Sequence, residues 1–388
     1  MDIKAVYDAD GHVIEPGDLW VKRLPKELRD VGPHYHLDEQ GVFHNKLYGL
    51  ELNDLPALWG VSARTMLDNM GLAAAMGVPV ERVFTDDPKT KHTIVHAPDW
   101  SMDGRKRLEF NLAHGVERAV LYPTYMLAGG TFRPDVAPAV CRVYNDWMMN
   151  EYCAGSGGRL VPVAALPTSN LEEAVKEVHR TAGMGYRAVF IRTNPVGDLK
   201  YSDRSFDTLW QAIVDADVHL GLHPLPIWDQ PGTARGFHLP NIMATSALGF
   251  PLDMMFTLYD MMAGGVFDRF PGMRTMVLEA GAGWIPCMFD RFEEHREQFG
   301  KIMAPEWKSS PMEIFERQMM VTVEACEEID ITTALAHLSA DHVALASDWP
   351  HYDGTPELIE GYRRVTASLD PADVTMMATG TLSRWFPN

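Results

Sequence analysis

Ala5-Val6-Tyr7-Asp8-Ala9-Asp10-Gly11-His12-Val13-Ile14-Glu15-Pro16 opens the chain with a short apolar run that ends in acids and a histidine. A nucleotide-binding open sheet would place a G-x-G-x-x-G turn after its first strand. Here the strand runs into Asp10-Gly11-His12, so the open doubly wound sheet is the weaker reading. Working outward, seven more short apolar runs recur: Arg118 to Pro123, Leu160 to Leu166, Arg187 to Arg192, Val218 to His223, Arg274 to Glu279, Met319 to Glu324 and His342 to Asp348. With Lys4 to Asp10 they make eight candidate strands. Nearly continuous apolar strands are what a parallel sheet buried on both faces demands. Amphipathic stretches alternate with them, notably Asn170 to Met184, Asp203 to Ala216, Trp284 to Gly300 and Pro356 to Ser368. The pattern predicts an α/β fold: a (β/α)8 TIM-type barrel.

The chain has 388 residues, more than the roughly 250 of a minimal barrel, so insertions are expected within one domain spanning 1–388. Residues 13–102 form a cap-like insertion after strand one. Residues 224–270 form a second insertion after strand five, with a methionine-rich run (Met254, Met255, Met261, Met262) that is expected to shape the pocket. Both follow the C-terminal ends of strands, where barrel active sites form. A formal charge of −19 excludes a nucleic-acid footprint. The sequence shows no apolar run long enough to span a membrane and no secretory signal, which predicts a cytoplasmic protein. Four scattered cysteines (Cys141, Cys153, Cys287, Cys326) read as free, buried thiols in a reducing compartment.

The chemistry is positional. Asp10 and His12 end strand one two residues apart, so strand alternation aims both at one point. His223 ends strand five, Glu279 strand six, Glu324 strand seven and Asp348 strand eight. Singly, each has a plain structural reading: a hydrogen-bonded core histidine, a helix cap. Together they put carboxylates and imidazoles at the mouth of one closed barrel, where an unpaired charge is costly unless it binds a metal. Further candidate ligands are His295 and His351. Glu15 reads as a loop-fixing carboxylate. Arg192, Arg235 and His238 are candidate substrate contacts, and Asp348, Glu279 and His351 are the candidate catalytic groups. His34, His36, His44, His92 and His96 read as surface-loop histidines.

Several stretches carry a family resemblance: Asp8 to Pro16, Met102-Asp103-Gly104-Arg105, Gly115 to Pro123, Gly221-Leu222-His223-Pro224, Phe270 to Leu278, Gly283 to Pro286, and Ala346 to His351. Together they resemble the amidohydrolase superfamily, in the branch holding aminocarboxymuconate-semialdehyde decarboxylase and the resorcylate decarboxylases. The resemblance implies metal ligation by Asp10, His12, His223 and Asp348, with Asp348 also moving a proton. Barrels of this branch are often dimers, which implies a homodimer. The chain departs from the decarboxylase pattern at Ala280, where that branch carries a histidine.

The missing histidine, with surplus imidazoles and carboxylates, instead resembles the non-heme di-iron monooxygenase of platensimycin-type biosynthesis, which also uses an amidohydrolase-type barrel. The leading expectation is therefore two iron ions hydroxylating a small, partly apolar molecule with O2 and an electron donor. The alternative is one zinc or manganese ion supporting hydrolysis or non-oxidative decarboxylation of a small carboxylated or aromatic substrate. A third reading is a metal-supported binding protein without activity.

Overall fold

The structure, a computed structural model, describes residues 3–37, 43–47, 50–51, 99–127, 133–193, 199–224, 245–351, 354 and 357–387. Eight parallel strands form its centre: β1 (Val6–His12), β2 (Val116–Tyr122), β3 (Leu160–Ala165), β4 (Ala188–Arg192), β5 (His219–His223), β6 (Thr275–Val277), β7 (Met319–Glu324) and β8 (Val343–Ala346). They pair in chain order. Helices alternate with them: α1 (Gly104–Ala113), α2 (Ala137–Trp147), α3 (Leu171–Met184), α4 (Asp207–Asp215), α5 (Phe250–Ala263), α6 (Trp284–Met303), α7 (Glu328–Leu335) and α8 (Leu358–Val365). This is a (β/α)8 barrel. Its strands are buried almost end to end because core side chains cover one face and the helix ring the other. The sequence reads α3 well because its boundaries carry chemistry. Asn170 accepts the Glu173 amide at 3.2 Å, and Gly185 ends the helix at φ 103°.

The seam between β8 and β1 closes outside regular strand pairing. The Asp348 amide donates to the Asp10 carbonyl at 2.8 Å, and the His12 amide to the Trp349 carbonyl at 2.7 Å. Along β1 the register shifts between Asp8 and Gly11, which oppose Ala119 and Leu121, so one extra residue bulges out. The Asp8 carboxylate takes up the bulge by accepting the Asp10 amide at 3.2 Å. A Cβ on Gly11 would lie 2.7 Å from Asp8 Oδ2 and 2.8 Å from Arg107 Nη2, so glycine alone fits there.

Within 13–102 the described residues include a helix at Leu19–Arg23 and three antiparallel strands, His34–Leu37, Phe43–Leu47 and Leu50–Glu51. His92 and His96 lie outside the described residues, as do Arg235 and His238. Met254, Met261 and Met262 are fully buried on α5 as part of the main core. One expectation needs correction. Cys287 and Cys326 are exposed; only Cys141 and Cys153 are buried. Among the described residues, no helix is long and apolar enough to cross a membrane.

Candidate metal centre

The four ligands that the resemblance implies each sit where a strand gives way to a loop. Asp10 and His12 end β1, His223 ends β5, and Asp348 follows β8 by two residues. All four are buried to within 1% of complete. His12 Nε2 lies 3.3 Å from His223 Nε2, 3.6 Å from Asp10 Oδ1 and 3.1 Å from Asp348 Oδ1. His223 Nε2 lies 3.6 Å from Asp10 Oδ1 and 3.6 Å from Glu279 Oε2. Asp10, His12 and His223 thus bring three donor atoms together, and His12, Asp348 and His351 form a second such group.

The donors are oriented from behind. His12 Nδ1 faces the Pro123 carbonyl at 2.7 Å, and His223 Nδ1 faces the Pro224 carbonyl at 2.7 Å. A carbonyl only accepts, so each Nδ1 carries the proton and each Nε2 turns its electron pair inward. Burial holds the His12 imidazole well below the usual histidine range, and the His351 and His223 rings add to this. Asp10 Oδ1 is buried and accepts no hydrogen bond from the described residues. Two imidazole nitrogens and two carboxylate oxygens converging at this range offer the donor set of a cation's coordination shell. Two nitrogens about 2.1 Å from one ion lie about 3.0–3.4 Å apart at octahedral to tetrahedral angles. The observed 3.3 Å falls in that window. The residues fit a divalent ion.

His351 and Glu279 join this neighbourhood. His351 Nδ1 lies 2.9 Å from Asp348 Oδ1, its ring stacks on His12 at 3.9 Å, and its Nε2 meets Thr124 Oγ1 at 3.0 Å. Glu279 lies past the end of β6 rather than in it, at φ 46°, and Asp348 sits at φ 53°. Non-glycine residues at positive φ cost roughly 1–3 kcal/mol and mark sites where aim outweighs comfort. Arg192 is buried at the end of β4, in register with His223.

Two expected ligands stand apart. His295 lies eleven residues along α6, about 16 Å from its start. Its side chain is 44% exposed, with Nδ1 against the Arg291 carbonyl at 2.9 Å. It faces solvent on the outer ring because a helix leaving a barrel mouth runs back toward the floor. Glu324 ends β7 half-buried and belongs to neither donor group.

Of the support behind the donors, sequence reasoning read Glu15 as a loop-fixing carboxylate but missed Asp8 and Arg107. Glu15 accepts the amides of Thr124 (3.2 Å), Tyr125 (3.0 Å) and Met126 (2.9 Å), so it fixes the loop after β2 that delivers Pro123 and Thr124. Burial pushes its carboxyl up to about 7 against those donors. Asp8 accepts the Ser347 amide at 2.9 Å and hydroxyl at 2.6 Å, and burial lifts it to about 6. Arg107, fully buried on α1, reaches the same seam. An apolar-to-charged spacing does not mark such residues; only their isolation within apolar or helical text does.

Known proteins now bear on the reading. Gamma-resorcylate decarboxylase of Rhizobium sp. (strain MTP-10005) is 25% identical over 253 residues, covering 63% of this chain and 76% of that protein. An amidohydrolase, map2389c, of Mycobacterium avium subsp. paratuberculosis K-10 superposes with a TM-score of 0.75 at 17% identity, covering 99% of this chain and 100% of that one. A dihydroxybenzoic acid decarboxylase of Polaromonas sp. JS666, with bound manganese and the inhibitor 2-nitroresorcinol, gives 0.65 at 16% identity, covering 98% and 96%. At such identities the structural likenesses speak for the fold. The family match itself, to Amidohydrolase, starts after the Asp10/His12 strand and runs through every later strand, from residue 41 to 386. With the match reaching that far, the chain belongs to the amidohydrolase family.

Proposed function

We propose that this metal-dependent enzyme carries out non-oxidative decarboxylation of a small aromatic carboxylate. The observation that carries the reading is the buried carboxylate–imidazole set, in which Asp348 touches both a candidate ligand, His12, and a histidine on the rim, His351. The relatives are decarboxylases, which favours the alternative left open by the sequence over the oxygenase placed first. The oxygenase reading also leaned on His295, which stands on the outer ring.

A divalent ion, manganese or zinc, held by Asp10, His12, His223 and Asp348 would polarise the substrate's oxygens. The rest is the chain's own work. Loss of CO2 leaves the bond's electron pair on the ring carbon, which must take a proton. Asp348 supplies it, and His351 with Thr124 leads from that carboxylate toward the rim. Arg192, the buried cation beside His223, anchors the substrate's anionic group. Glu279 reaches His223 from the stretch where decarboxylases of this branch carry a histidine.

The test is direct. Chelated protein is reloaded with Mn2+ and offered a panel of hydroxybenzoates, 2,6-dihydroxybenzoate among them, with and without O2. The expected result is the matching phenol plus CO2 at equal rates in both atmospheres. Reductant-dependent O2 uptake, or turnover of esters and lactones in place of the acids, overturns the proposal.

A further inference from the structure

The barrel's unladdered join is the one that carries candidate ligands on both sides. β1 carries Asp10 and His12, β8 leads to Asp348, and among the described residues two main-chain bonds and the two Ser347–Asp8 bonds stand between them in place of a regular ladder. Arg107 fills this gap from α1. Its Nη1 donates to the His12 carbonyl at 2.6 Å and to the Trp349 carbonyl at 3.2 Å, and its Nη2 reaches the Trp349 carbonyl at 3.3 Å. Nε is committed to Asn111 Oδ1 at 2.9 Å, which fixes the plane of the fork. The guanidinium is fully buried, and Trp100 covers it at 5.1 Å. Among the described residues its hydrogen bonds go to two carbonyls and an amide, while the buried Asp8 carboxylate nearby favours its charge without accepting one. A buried charge spent on backbone carbonyls is costly unless the geometry it fixes matters. One of those carbonyls belongs to a candidate ligand and the other to the residue after one.

We propose that Arg107 is a positioning residue that sets the gap between the strand ends bearing His12 and Asp348, and thereby the affinity for the divalent ion. The inference rests on the metal-centre reading above. A lysine in its place is a point donor and cannot bridge both carbonyls in one plane. Loss of support behind metal ligands typically costs 10–100-fold in affinity.

The experiment titrates chelated, full-length protein with Mn2+ alone, following free Mn2+ by electron paramagnetic resonance. Wild type reports on the metal centre itself: if it binds no Mn2+, the centre and this inference fall together. With wild type binding, Arg107→Lys is expected to stay folded by circular dichroism and raise the Kd for Mn2+ at least tenfold, with an altered bound-ion spectrum. Asn111→Ala, a milder change that frees the fork, raises it severalfold and serves if the lysine variant does not fold. Tyr186→Phe, which removes a hydroxyl bonded to the Asn145 carbonyl on the outer ring, controls for general destabilisation and leaves the Kd unchanged. Added guanidinium restores binding to Arg107→Gly. Folded Arg107→Lys and Asn111→Ala proteins that bind Mn2+ within twofold of wild type overturn the inference while leaving the metal centre standing.

Discussion

A single carboxylate divides binding from chemistry here. Asp348 is buried, touches His12 and His351, and sits at a strained positive φ. Asp348→Asn keeps the shape and an oxygen donor but removes the proton carrier. Under saturating Mn2+ we expect kcat to fall by roughly 10²–10⁴-fold, the usual worth of a positioned acid or base, measured as product formation. His295→Ala is the converse case, with an exposed ring on α6; metal content by elemental analysis is expected to match wild type, and a halved content returns His295 to the ligand set. Arg192→Lys tests the anchor. Losing a bidentate, charge-assisted contact costs about 1.5–3 kcal/mol, so KM is expected to rise about 10–100-fold with kcat less affected. Equal KM values for both proteins assign Arg192 a purely structural role. At this scale the sequence singled out Asp10, His12, His223 and Asp348, whose side chains the structure brings together, because each breaks an apolar run at a strand end. It could not separate Glu279 from Glu324, since both end such runs. Their difference lies in where the following backbone turns, and only Glu279 turns left-handed.

Elements explain what the residues alone do not. The strands were legible because burial on both faces forces unbroken apolar text, and α3 because its cap and stop residues are written into it. The β1 bulge was not legible, because period-2 alternation contains no mark for an inserted residue. The loop after β2 was also unreadable, although it orients His12 through Pro123 and meets His351 through Thr124. Its stability depends on Glu15, whose two oxygens accept three amides. Glu15→Gln turns one of those oxygens into a donor facing an amide. We expect a loss of about 1–3 kcal/mol in urea unfolding, the cost of an unsatisfied buried polar group, together with weaker Mn2+ binding. A variant as stable as wild type would show that the loop holds itself.

At the scale of the whole molecule, the mouth carries the chemistry and the floor carries a titrating lock. The C-terminal segment Thr381–Trp385 and Phe386 lies across the floor: Thr381 Oγ1 donates to the Ala340 carbonyl at 2.9 Å, and Arg118 bonds the Phe386 carbonyl. His219, at the start of β5, is buried beneath it with Nε2 2.6 Å from the Trp385 carbonyl and its ring 5.0 Å from both Trp385 and Phe386. Burial lowers its pKa to about 4, Arg274 and Arg187 push the same way, and the Trp385 carbonyl and Asp217 oppose them. In the unfolded chain the same imidazole titrates near 6.5. Between those values the unfolded state holds a proton that the folded state refuses, so stability is full above about pH 6.5 and declines as pH falls toward 4. The whole window is worth about 3 kcal/mol. Asp8 and Glu15, raised to about 6 and about 7, slope the other way, so the total profile conceals the effect. Subtraction exposes it. His219→Gln keeps a donor for the Trp385 carbonyl but cannot titrate, and the acids contribute equally to both proteins. In urea titrations at pH 4.5, 5.5 and 7.0, wild type is expected to lose more stability than His219→Gln at each acid step. Parallel curves would mean that the floor opens before His219 meets a proton, and that the lock lies elsewhere.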